Sequence, residues 1–292
     1  MKPMTIWLDG RLVSREEANV SVFDHGLLYG DGVFEGLRIY NRRIFRLEGH
    51  LDRLWDSAKA IALEIPLDRA AMVDALRTTV AANQKEDGYI RLVVTRGVGD
   101  LGVDPLKCAR PSVIIIVTDI AVYPAALYAT GVKVITSATR QVSHESFDAR
   151  VKSLNYLKNV LAKIDANRAG AHEAILLNAE GFVGECTADN LFVVKHDTLL
   201  TPSPQDGALE GITRGALLEL AGEARILSRE KRLTRYDVYT ADECFLSGTG
   251  AEVMPIAEVD GRRIGGVTPG PVTKRLSDAF HALVRREGDP IW

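Results

Sequence analysis

The sequence predicts an α/β protein, of the α+β type, with two domains. Its 292 residues suit two domains of ordinary size better than a single core. Amphipathic helical patterns, such as residues 48–62, occur among short β-branched runs typical of strands, such as Ser112 to Thr118. A weak, alanine-rich pattern with Pro124 then interrupts the strands. We therefore expect an N-terminal domain of residues 1–118, a linker of residues 119–131 and a C-terminal domain of residues 132–292.

The composition argues against several classes of function. The formal net charge of −3 gives no electrostatic reason to bind nucleic acid or an acidic membrane. The three cysteines lie far apart and the six histidines are dispersed, so we expect reduced thiols and no metal site. The first residues lack the apolar core of a signal peptide, and the longest strongly apolar run, Val113 to Val117, is too short to span a bilayer. We expect a cytoplasmic protein.

The first predicted strands form a hairpin, Thr5 to Val13, and residues 33–40 then alternate like another strand. Phe34, Gly36 and Arg38 share one face of the latter. A large aromatic, a bare glycine and an arginine are poor core residues in combination. This face is therefore either exposed to solvent or lines a pocket in which the glycine makes room for a ligand.

Two helices are predicted next, followed by a strand with polar residues on one face. Arg53 lies off the apolar stripe of helix 48–62, where it serves either solubility or anion binding. Asp68 is a good N-cap for the second helix. Tyr89 and Arg91 share a face of the strand that follows. The glycine-rich loop after this strand fits neither a dinucleotide fingerprint nor a P-loop.

Lys152 is the candidate nucleophile. It precedes a helical pattern in which Leu154, Leu157, Leu161 and Ile164 recur at spacings of three and four, so we expect the lysine at the border of a buried face. Burial lowers the pKa of a lysine and makes its amine nucleophilic, which is the condition for a Schiff base with an aldehyde cofactor. The alternative is an ordinary lysine whose stem packs while its amine reaches water.

The C-terminal half contains three further candidates. Glu185 comes just before a strand, where a carboxylate is usually a solvated turn residue. The sequence Gly211-Ile212-Thr213-Arg214 begins a helix and offers backbone N–H groups and a hydroxyl at its positive end, which suits either a phosphate or a plain threonine cap. A small-residue turn, Ser247 to Glu252, is the second place where backbone N–H groups could meet an anion.

Seven short motifs then occur in order along the chain. They are Val33-Phe34-Glu35-Gly36-Leu37-Arg38, His50-x-x-Arg53-Leu54, Tyr89-Ile90-Arg91, Lys152-x-x-x-Asn155-Tyr156, Glu185-x-x-x-x-Asn190-Leu191-Phe192, Gly211-Ile212-Thr213-Arg214 and Ser247-Gly248-Thr249-x-Ala251-Glu252. Together they resemble the class IV aminotransferases, the fold-type IV enzymes that use pyridoxal phosphate, over nearly the whole chain. The Phe34, Gly36 and Arg38 face and the Tyr89 and Arg91 strand make the resemblance closest to branched-chain amino-acid aminotransferases. The segment 121–152 departs from that family's pattern, and Tyr123 and Tyr128 are its candidate lid residues.

The resemblance implies a fold and an activity. The fold has two domains with the cofactor in the cleft between them, and it forms a homodimer in which each subunit supplies loops to the other's site. Loop Leu101 to Pro105 and the region around Tyr29 are the candidates for that contribution. The implied activity is transamination between L-leucine, L-isoleucine or L-valine and 2-oxoglutarate. The alternatives are a D-amino-acid aminotransferase and an aminodeoxychorismate lyase, with a non-enzymatic pyridoxal-phosphate-binding protein a more distant one.

The resemblance also implies residue roles. Lys152 would hold the cofactor as a Schiff base and shuttle the substrate proton, and Glu185 would pair with the pyridine nitrogen. Arg91 would receive the distal carboxylate of glutamate, with Arg38 in reserve. The phosphate ligands would be Arg53, Ile212, Thr213, Gly248 and Thr249; the α-carboxylate ligands would be Tyr89 and the turn Thr249, Gly250 and Ala251; and the apolar pocket would be walled by Phe34 and Tyr156 beside Gly36.

Overall fold

The computed structural model describes residues 4–292, in which helices and strands are mixed along the chain. Up to residue 118 the elements are β1 (Thr5–Leu8), β2 (Arg11–Ser14), α1 (His25–Tyr29), β3 (Gly32–Tyr40), β4 (Arg43–Ile44), α2 (Leu47–Ala60), α3 (Arg69–Asn83), β5 (Gly88–Thr95) and β6 (Ser112–Thr118). The later elements are α4 (Leu127–Thr130), β7 (Val132–Arg140), α5 (Leu157–Arg168), β8 (Glu173–Leu177), β9 (Val183–Cys186), β10 (Asn190–Lys195), β11 (Thr198–Thr201), α6 (Ile212–Glu223), β12 (Ser228–Glu230), α7 (Arg235–Tyr239), β13 (Glu243–Gly248), β14 (Glu252–Val259), β15 (Arg262–Arg263), α8 (Pro271–Arg286) and β16 (Asp289–Pro290).

The described chain divides into two compact units. Unit 1 comprises the residues up to Ile120 together with Val151–Asn155 and Val284–Trp292, and unit 2 comprises Ala121–Arg150 and Tyr156–Leu283. The predicted C-terminal domain of residues 132–292 would include the two later segments of unit 1. In the structure, however, both segments pair with strands of unit 1, because Ser153 bridges to Val33 and β16 pairs with β4.

Unit 1 is built on an antiparallel sheet in the order β16-β4-β3-β5-β6-β1-β2. The predicted alternation of β3 is confirmed, since Val33, Leu37 and Ile39 are fully buried on one face. Leucines of α2 and apolar residues of α3 cover that face and complete the core of the unit. Asp68 caps α3 as predicted, accepting a 2.8 Å hydrogen bond from the Ala71 N–H. The opposite face of β3 is thereby left for Phe34, Gly36 and Arg38.

Unit 2 is built on a mixed sheet in the order β12-β11-β10-β13-β14-β7-β8-β9, with β15 paired to β14. The pairs β14–β7, β7–β8 and β11–β12 are parallel, and the other pairs are antiparallel. Helix α6 packs on β13, and α5 packs on β7 and β8. These contacts place the start of α6 near the end of β13, where two of the candidate anion-binding segments lie.

The predicted orientation of the helix after Lys152 is wrong. α5 begins at Leu157, and its buried residues are Asn159, Ala162 and Ala166. Of the predicted core stripe, Leu154 precedes the helix and is half-buried, while the three residues within α5 face away from the unit: the exposed fractions are Leu157 70%, Leu161 45% and Ile164 39%. Alanines allow the helix to approach β7 and β8 closely, and this choice turns the larger apolar residues outward. In the described part of the chain, no helix is long and apolar enough to cross a membrane.

Candidate functional site

Lys152 is held in an extended segment beside β3. Its carbonyl accepts a 3.0 Å hydrogen bond from the Phe34 N–H, and its own N–H donates at 3.0 Å to Ser57 Oγ of α2. The Leu154 N–H donates to the Gly32 carbonyl, which continues the pairing along the strand. The lysine backbone is therefore fixed by the sheet and by α2, rather than by the start of a helix as predicted.

The side chain of Lys152 shares an aromatic ring with an arginine. Lys152 Nζ lies 4.6 Å from the centroid of the Phe34 ring, and Arg91 Cζ lies 4.6 Å from the same centroid. Arg91 also lies 5.5 Å from the centroid of the Tyr89 ring. Cations are attracted to the faces of aromatic rings, so Phe34 positions both groups without neutralising either charge. This brings together an amine, a guanidinium and an apolar wall.

Gly36 is required by Tyr89. A Cβ at Gly36 would lie 2.2 Å from the Tyr89 hydroxyl oxygen, so only glycine lets the phenol lie across β3. In the strand register, Gly36 pairs with Arg91 and Arg38 pairs with Tyr89. Burial raises the pKa of Tyr89, with Arg91 and Lys152 acting in the opposite direction. The prediction that Gly36 opens space for a ligand therefore has to be refined, because a protein side chain occupies the space above this glycine.

Arg53 belongs to a buried polar group on the core side of β3. Its Nε and Nη2 donate to Glu35 Oε1 and Oε2 at 2.7 and 2.9 Å, and His50 Nδ1 lies 2.7 Å from Oε2. Glu35 is fully buried, His50 is 1% exposed and Arg53 is 11% exposed. Because a carboxylate only accepts, His50 carries its proton on Nδ1.

The electrostatics of this group favour one charge arrangement. Burial alone would raise the pKa of Glu35, but Arg53 and His50 outweigh it and hold that pKa well below its usual range. Burial lowers the pKa of His50, although Glu35 acts to raise it. Near neutral pH the group is therefore an ion pair of Arg53 and Glu35 with a neutral histidine. Its net effect is to fix the guanidinium of Arg53 against the carboxylate of Glu35.

Unit 2 holds Glu185 on β9 by both carboxylate oxygens. Gln141 Nε2 donates to Oε1 at 3.2 Å, and the Leu209 N–H donates to Oε2 at 2.9 Å. Asn190 Nδ2 donates to the Leu209 carbonyl at 2.8 Å. Leu209, just before α6, is thus held through its N–H by Glu185 and through its carbonyl by Asn190. The carboxylate is oriented by the fold, which is unlike the usual solvated turn residue.

The two predicted anion-binding segments adjoin one another around Asn190. A Cβ at Gly211 would lie 2.0 Å from Asn190 Oδ1, and Asn190 pairs with Ser247 across β10 and β13. Gly211 is the N-cap of α6 and, as a glycine, has no side chain to cap the first N–H groups. Ser247 Oγ is buried and has no hydrogen-bond partner among residues 4–292. An uncapped helix start and an unsatisfied hydroxyl on adjoining segments suit an anionic group.

A buried carboxyl, Asp189, supports the turn at Gly248. A Cβ at Gly248 would lie 2.1 Å from Asp189 Oδ1, so the glycine allows a close approach. Burial, followed by the nearby carboxylate of Glu173, raises the pKa of Asp189 to about 7. Tyr123 lies in the core of unit 2 with its hydroxyl 3.5 Å from Asp189 Oδ2. The prediction of Tyr123 as a lid residue is therefore not supported by its place in the fold.

The other predicted residues lie in two groups. In unit 2, Tyr156 is the N-cap residue of α5, and the turn Thr249-Gly250-Ala251 follows β13, with the Ala251 carbonyl accepting from Tyr128 Oη at 3.2 Å. In unit 1, Tyr29 Oη accepts a 2.8 Å hydrogen bond from the Gly102 N–H, so the two loops predicted to serve a partner subunit are joined.

Sequence reasoning missed the residues that hold the predicted ones in place. Ser57, Glu35 and His50 support Lys152 and Arg53, and Gln141 supports Glu185. One signal was available: His50, Arg53 and Ser57 are spaced by three and four residues, so these three polar residues share one face of the helix. Gln141 had no such signal, because it meets Glu185 from a distant strand.

The chain is similar to several known proteins over most of its length. Residues 32–259 match the family model of amino-transferase class IV. The chain is 47% identical over 289 residues to a putative branched-chain-amino-acid aminotransferase of Methanocaldococcus jannaschii, covering 99% of each chain. It is also similar to the crystal structure of the Escherichia coli branched-chain amino acid aminotransferase, with a TM-score of 0.94, 36% identity and coverage of 100% of this chain and 98% of that chain. A third relative is the branched-chain amino acid aminotransferase from Thermobaculum terrenum in its PLP-containing holo-form, with a TM-score of 0.88, 30% identity and coverage of 97% of this chain and 94% of that chain.

These matches cover almost the whole chain, and they confirm the family and fold class predicted from the motifs. This chain therefore belongs to the class IV aminotransferases.

Proposed function

We propose that the protein transfers the amino group between L-leucine, L-isoleucine or L-valine and 2-oxoglutarate, with pyridoxal phosphate as cofactor. The observation that carries the proposal is the shared ring of Phe34, with Lys152 Nζ and Arg91 Cζ each 4.6 Å from its centroid. In this arrangement Lys152 supplies an amine for the chemistry, Arg91 a cation for an acidic substrate and Phe34 an apolar surface for an aliphatic substrate. Relatives that match the full chain are named branched-chain aminotransferases, which supports this choice over the D-amino-acid aminotransferase and the lyase.

The residues present fit a phosphorylated cofactor. Ser247 Oγ is a buried hydroxyl with no hydrogen-bond partner in the described residues, and α6 begins with uncapped backbone N–H groups at Ile212 and Thr213. Arg53, Gly248 and Thr249 complete the proposed phosphate ligands. When bound, this cofactor supplies an aldehyde and a protonated ring that accepts electrons from the substrate α-carbon.

The chain's own groups perform the remaining tasks. Lys152 provides the amine that anchors the cofactor and, when substrate replaces it, the base that moves the α-proton. Its backbone is fixed at both ends of the peptide by Phe34 and Ser57, which limits the search that the amine makes for the reacting carbon. Glu185 holds the proton on the ring nitrogen. Tyr89 and the turn Thr249-Gly250-Ala251 bind the substrate α-carboxylate.

One pocket has to accept both leucine and glutamate, which differ by a charge. A wholly apolar pocket would reject glutamate, because burying an unpaired carboxylate costs several kcal/mol. Arg91 is placed to solve this, since within the described residues it packs on Phe34 and Tyr89 rather than in a carboxylate pair that would cancel its charge. Arg38 lies over the Tyr40 ring at 4.9 Å and is opposite Tyr89 in the strand register, which makes it the second candidate.

A homodimer is part of the proposal. The loops around Tyr29 and Leu101 to Pro105 expose a set of large apolar side chains: Leu27 64%, Val98 52%, Leu101 73%, Val103 81% and Leu106 89%. The outward stripe of α5 adds a second apolar surface. Such surfaces usually mark protein–protein contacts. We also propose a cytoplasmic location, where three free cysteines stay reduced.

A panel of amino donors tests the function. L-leucine, L-isoleucine, L-valine and D-leucine are each offered with 2-oxoglutarate, and glutamate formation is measured. We expect turnover with the three L-amino acids and none with D-leucine. Preference for D-leucine would make the protein a D-amino-acid aminotransferase, and pyruvate release from aminodeoxychorismate without an amino acceptor would make it a lyase.

A further inference from the structure

Gln141 is a buried amide that contacts the carboxylate of Glu185. It follows β7 and is 3% exposed, and its Nε2 donates to Glu185 Oε1 at 3.2 Å and also to the Gly207 carbonyl. The packing is close, because a Cβ at Gly207 would lie 2.4 Å from Gln141 Cγ. Both polar neighbours of Nε2 are acceptors only. The amide orientation is therefore determined by chemistry, and a flipped amide would place two acceptors against a third.

The fold keeps a buried polar group for this contact. Gln141 Oε1 has no hydrogen-bond partner among residues 4–292, and a buried acceptor without a partner is unfavourable. The useful part of the Gln141 amide is thus Nε2, which donates to Glu185 and to the Gly207 carbonyl. The second donor to the carboxylate, the Leu209 N–H, is also neutral. Both bonds favour the ionised form of the carboxyl group without adding a positive charge.

We propose that Gln141 is a positioning residue that keeps the shared proton on the cofactor ring nitrogen rather than on Glu185. The inference rests on the proposed function, since it assumes that Glu185 faces that nitrogen. Glu185 already accepts hydrogen bonds from Gln141 and Leu209. It therefore binds the proton that it shares with the ring nitrogen less tightly. The proton between carboxylate and ring therefore stays with the nitrogen, and the ring keeps the positive charge that lets it accept electrons.

Loss of the amide acts in one direction by two routes. Without the Nε2 donor the carboxylate is a better proton acceptor, so the shared proton moves toward Glu185. Without the hydrogen bond to Glu185 Oε1, the carboxylate of Glu185 also rotates more freely and its hydrogen bond to the ring nitrogen weakens. Each route lowers the fraction of protonated ring nitrogen. Both routes therefore displace the ring-nitrogen chemical shift toward that of the unprotonated form.

Glu185 contributes to the pKa shifts of three titratable groups of unit 2. Burial lowers the pKa of Lys158 while Glu185 raises it, and burial raises the pKa of Cys186. Asp189 has its pKa raised by burial and by Glu173, with Glu185 contributing. These groups are present in the wild type and in a Gln141 variant alike. A difference between the two proteins consequently isolates the amide.

The test is a pH titration of the holoenzyme loaded with cofactor labelled with nitrogen-15 in the ring, read by the ring-nitrogen chemical shift. Gln141→Met keeps the length and volume of the side chain and removes the donor. We expect its ring-nitrogen chemical shift to lie nearer the unprotonated value than that of the wild type throughout the pH range in which the wild-type nitrogen is protonated. We also expect kcat to fall by about 10- to 100-fold, the range for one hydrogen bond to a charged group, with KM changed less than about 3-fold.

Two further variants separate positioning from simple damage. Gln205→Met changes an exposed glutamine of the same unit and should leave the titration unchanged. In a Glu185→Gln background, Gln141→Met should have no further effect on ring protonation, because its partner carboxylate is gone. If Gln141→Met does not fold, Gln141→Asn, whose amide is one methylene too short, takes its place with the same expectation.

The outcomes are distinct from those that test the function. A Gln141 variant with the wild-type titration curve overturns the proposal, even if the enzyme transaminates leucine. An additive effect in the Glu185→Gln background also overturns it, because the amide would then act through another group. A wild type with protonated ring nitrogen that fails to use branched-chain substrates leaves this inference standing and removes the proposed function.

Discussion

Replacing Glu35 by glutamine removes one charge from the buried group that orients Arg53. The change keeps the shape of the side chain, so the surrounding core stays packed. Glu35 is fully buried, and it binds Arg53 through two hydrogen bonds of 2.7 and 2.9 Å and His50 through one of 2.7 Å. After substitution the guanidinium of Arg53, which is 11% exposed, loses the negative charge of Glu35.

The expected cost is large. Breaking a buried pair by removing one partner costs about 3–5 kcal/mol, because the remaining charge is uncompensated. The amide oxygen of glutamine still accepts one of the three hydrogen bonds, so we expect roughly 2–4 kcal/mol of lost stability. Urea unfolding of the cofactor-free protein near neutral pH measures it. Glu48→Gln is the matched control: it lies on α2 with a side chain 68% exposed and only a 3.8 Å contact to Arg69, and it should cost little.

The effect also has a predicted pH dependence. The folded protein holds the pKa of Glu35 below its usual value of 4.5. A carboxyl with a depressed folded pKa contributes stability above its unfolded pKa and loses it as the pH falls. The difference between wild type and Glu35→Gln should therefore narrow below about pH 4.5. A variant as stable as the wild type at neutral pH, or a difference independent of pH, would refute the reasoning.

Three other substitutions have specific expected results. Arg91→Met should weaken the half-reaction with glutamate by roughly 2–4 kcal/mol and the half-reaction with leucine far less, since only the glutamate side chain carries a charge that would lose its partner. Single-turnover absorbance follows each half-reaction, and equal losses would assign Arg91 a role shared by both substrates. Asp189→Asn should gain stability relative to the wild type as the pH rises from about 4 to about 7, by roughly 1–4 kcal/mol, because the raised pKa of Asp189 means that the folded protein binds its proton more tightly than the unfolded chain does. The exposed Asp197→Asn is its control in urea unfolding, and a parallel response of the two variants would contradict the assignment. Ser57→Ala leaves the Lys152 N–H without its partner and should cost about 1–3 kcal/mol in the same assay, whereas wild-type stability would show that this contact is unimportant.

The sequence predicted the elements well where one pattern decides the structure. β3 and β5 show the expected alternation, so Phe34, Gly36 and Arg38 share a face of the sheet, and Tyr89 and Arg91 lie on that same face opposite Arg38 and Gly36. The helix that contains Arg53 and the capped helix after Asp68 also lie as predicted. Periodicity is a local signal, and these segments bury one face only.

Local patterns failed where a tertiary contact decides the outcome. The leucine stripe after Lys152 has helical spacing, but the alanines on the other face of α5 pack more closely on β7 and β8. The segment 151–155 was predicted to belong to the C-terminal domain, yet its backbone pairs with β3. The face with Gly36 was predicted either to be exposed to solvent or to line a ligand pocket, and the Tyr89 hydroxyl from another strand occupies the space above the glycine. The partners of residues 151–155 and of Gly36 are distant in sequence.

The site was predicted mainly through the resemblance to the family. Single motifs such as Glu185 or Gly211-Ile212-Thr213 read locally as a turn residue and a helix cap. Their support came from seven motifs in order, and the structure adds the groups that hold them, such as Gln141 and Asn190. The roles assigned to individual residues stay predictions until variants are measured.

The central claim is that Lys152 serves a cofactor that passes an amino group from leucine to 2-oxoglutarate. The most direct measurement follows the visible absorbance of the holoenzyme while L-leucine and then 2-oxoglutarate are added. We expect the absorbance to fall with L-leucine, to return with 2-oxoglutarate and to remain unchanged with D-leucine, and we expect Lys152→Ala to show no such cycle. A Lys152→Ala protein that cycles at the wild-type rate, or a wild type that responds to D-leucine alone, would contradict the account.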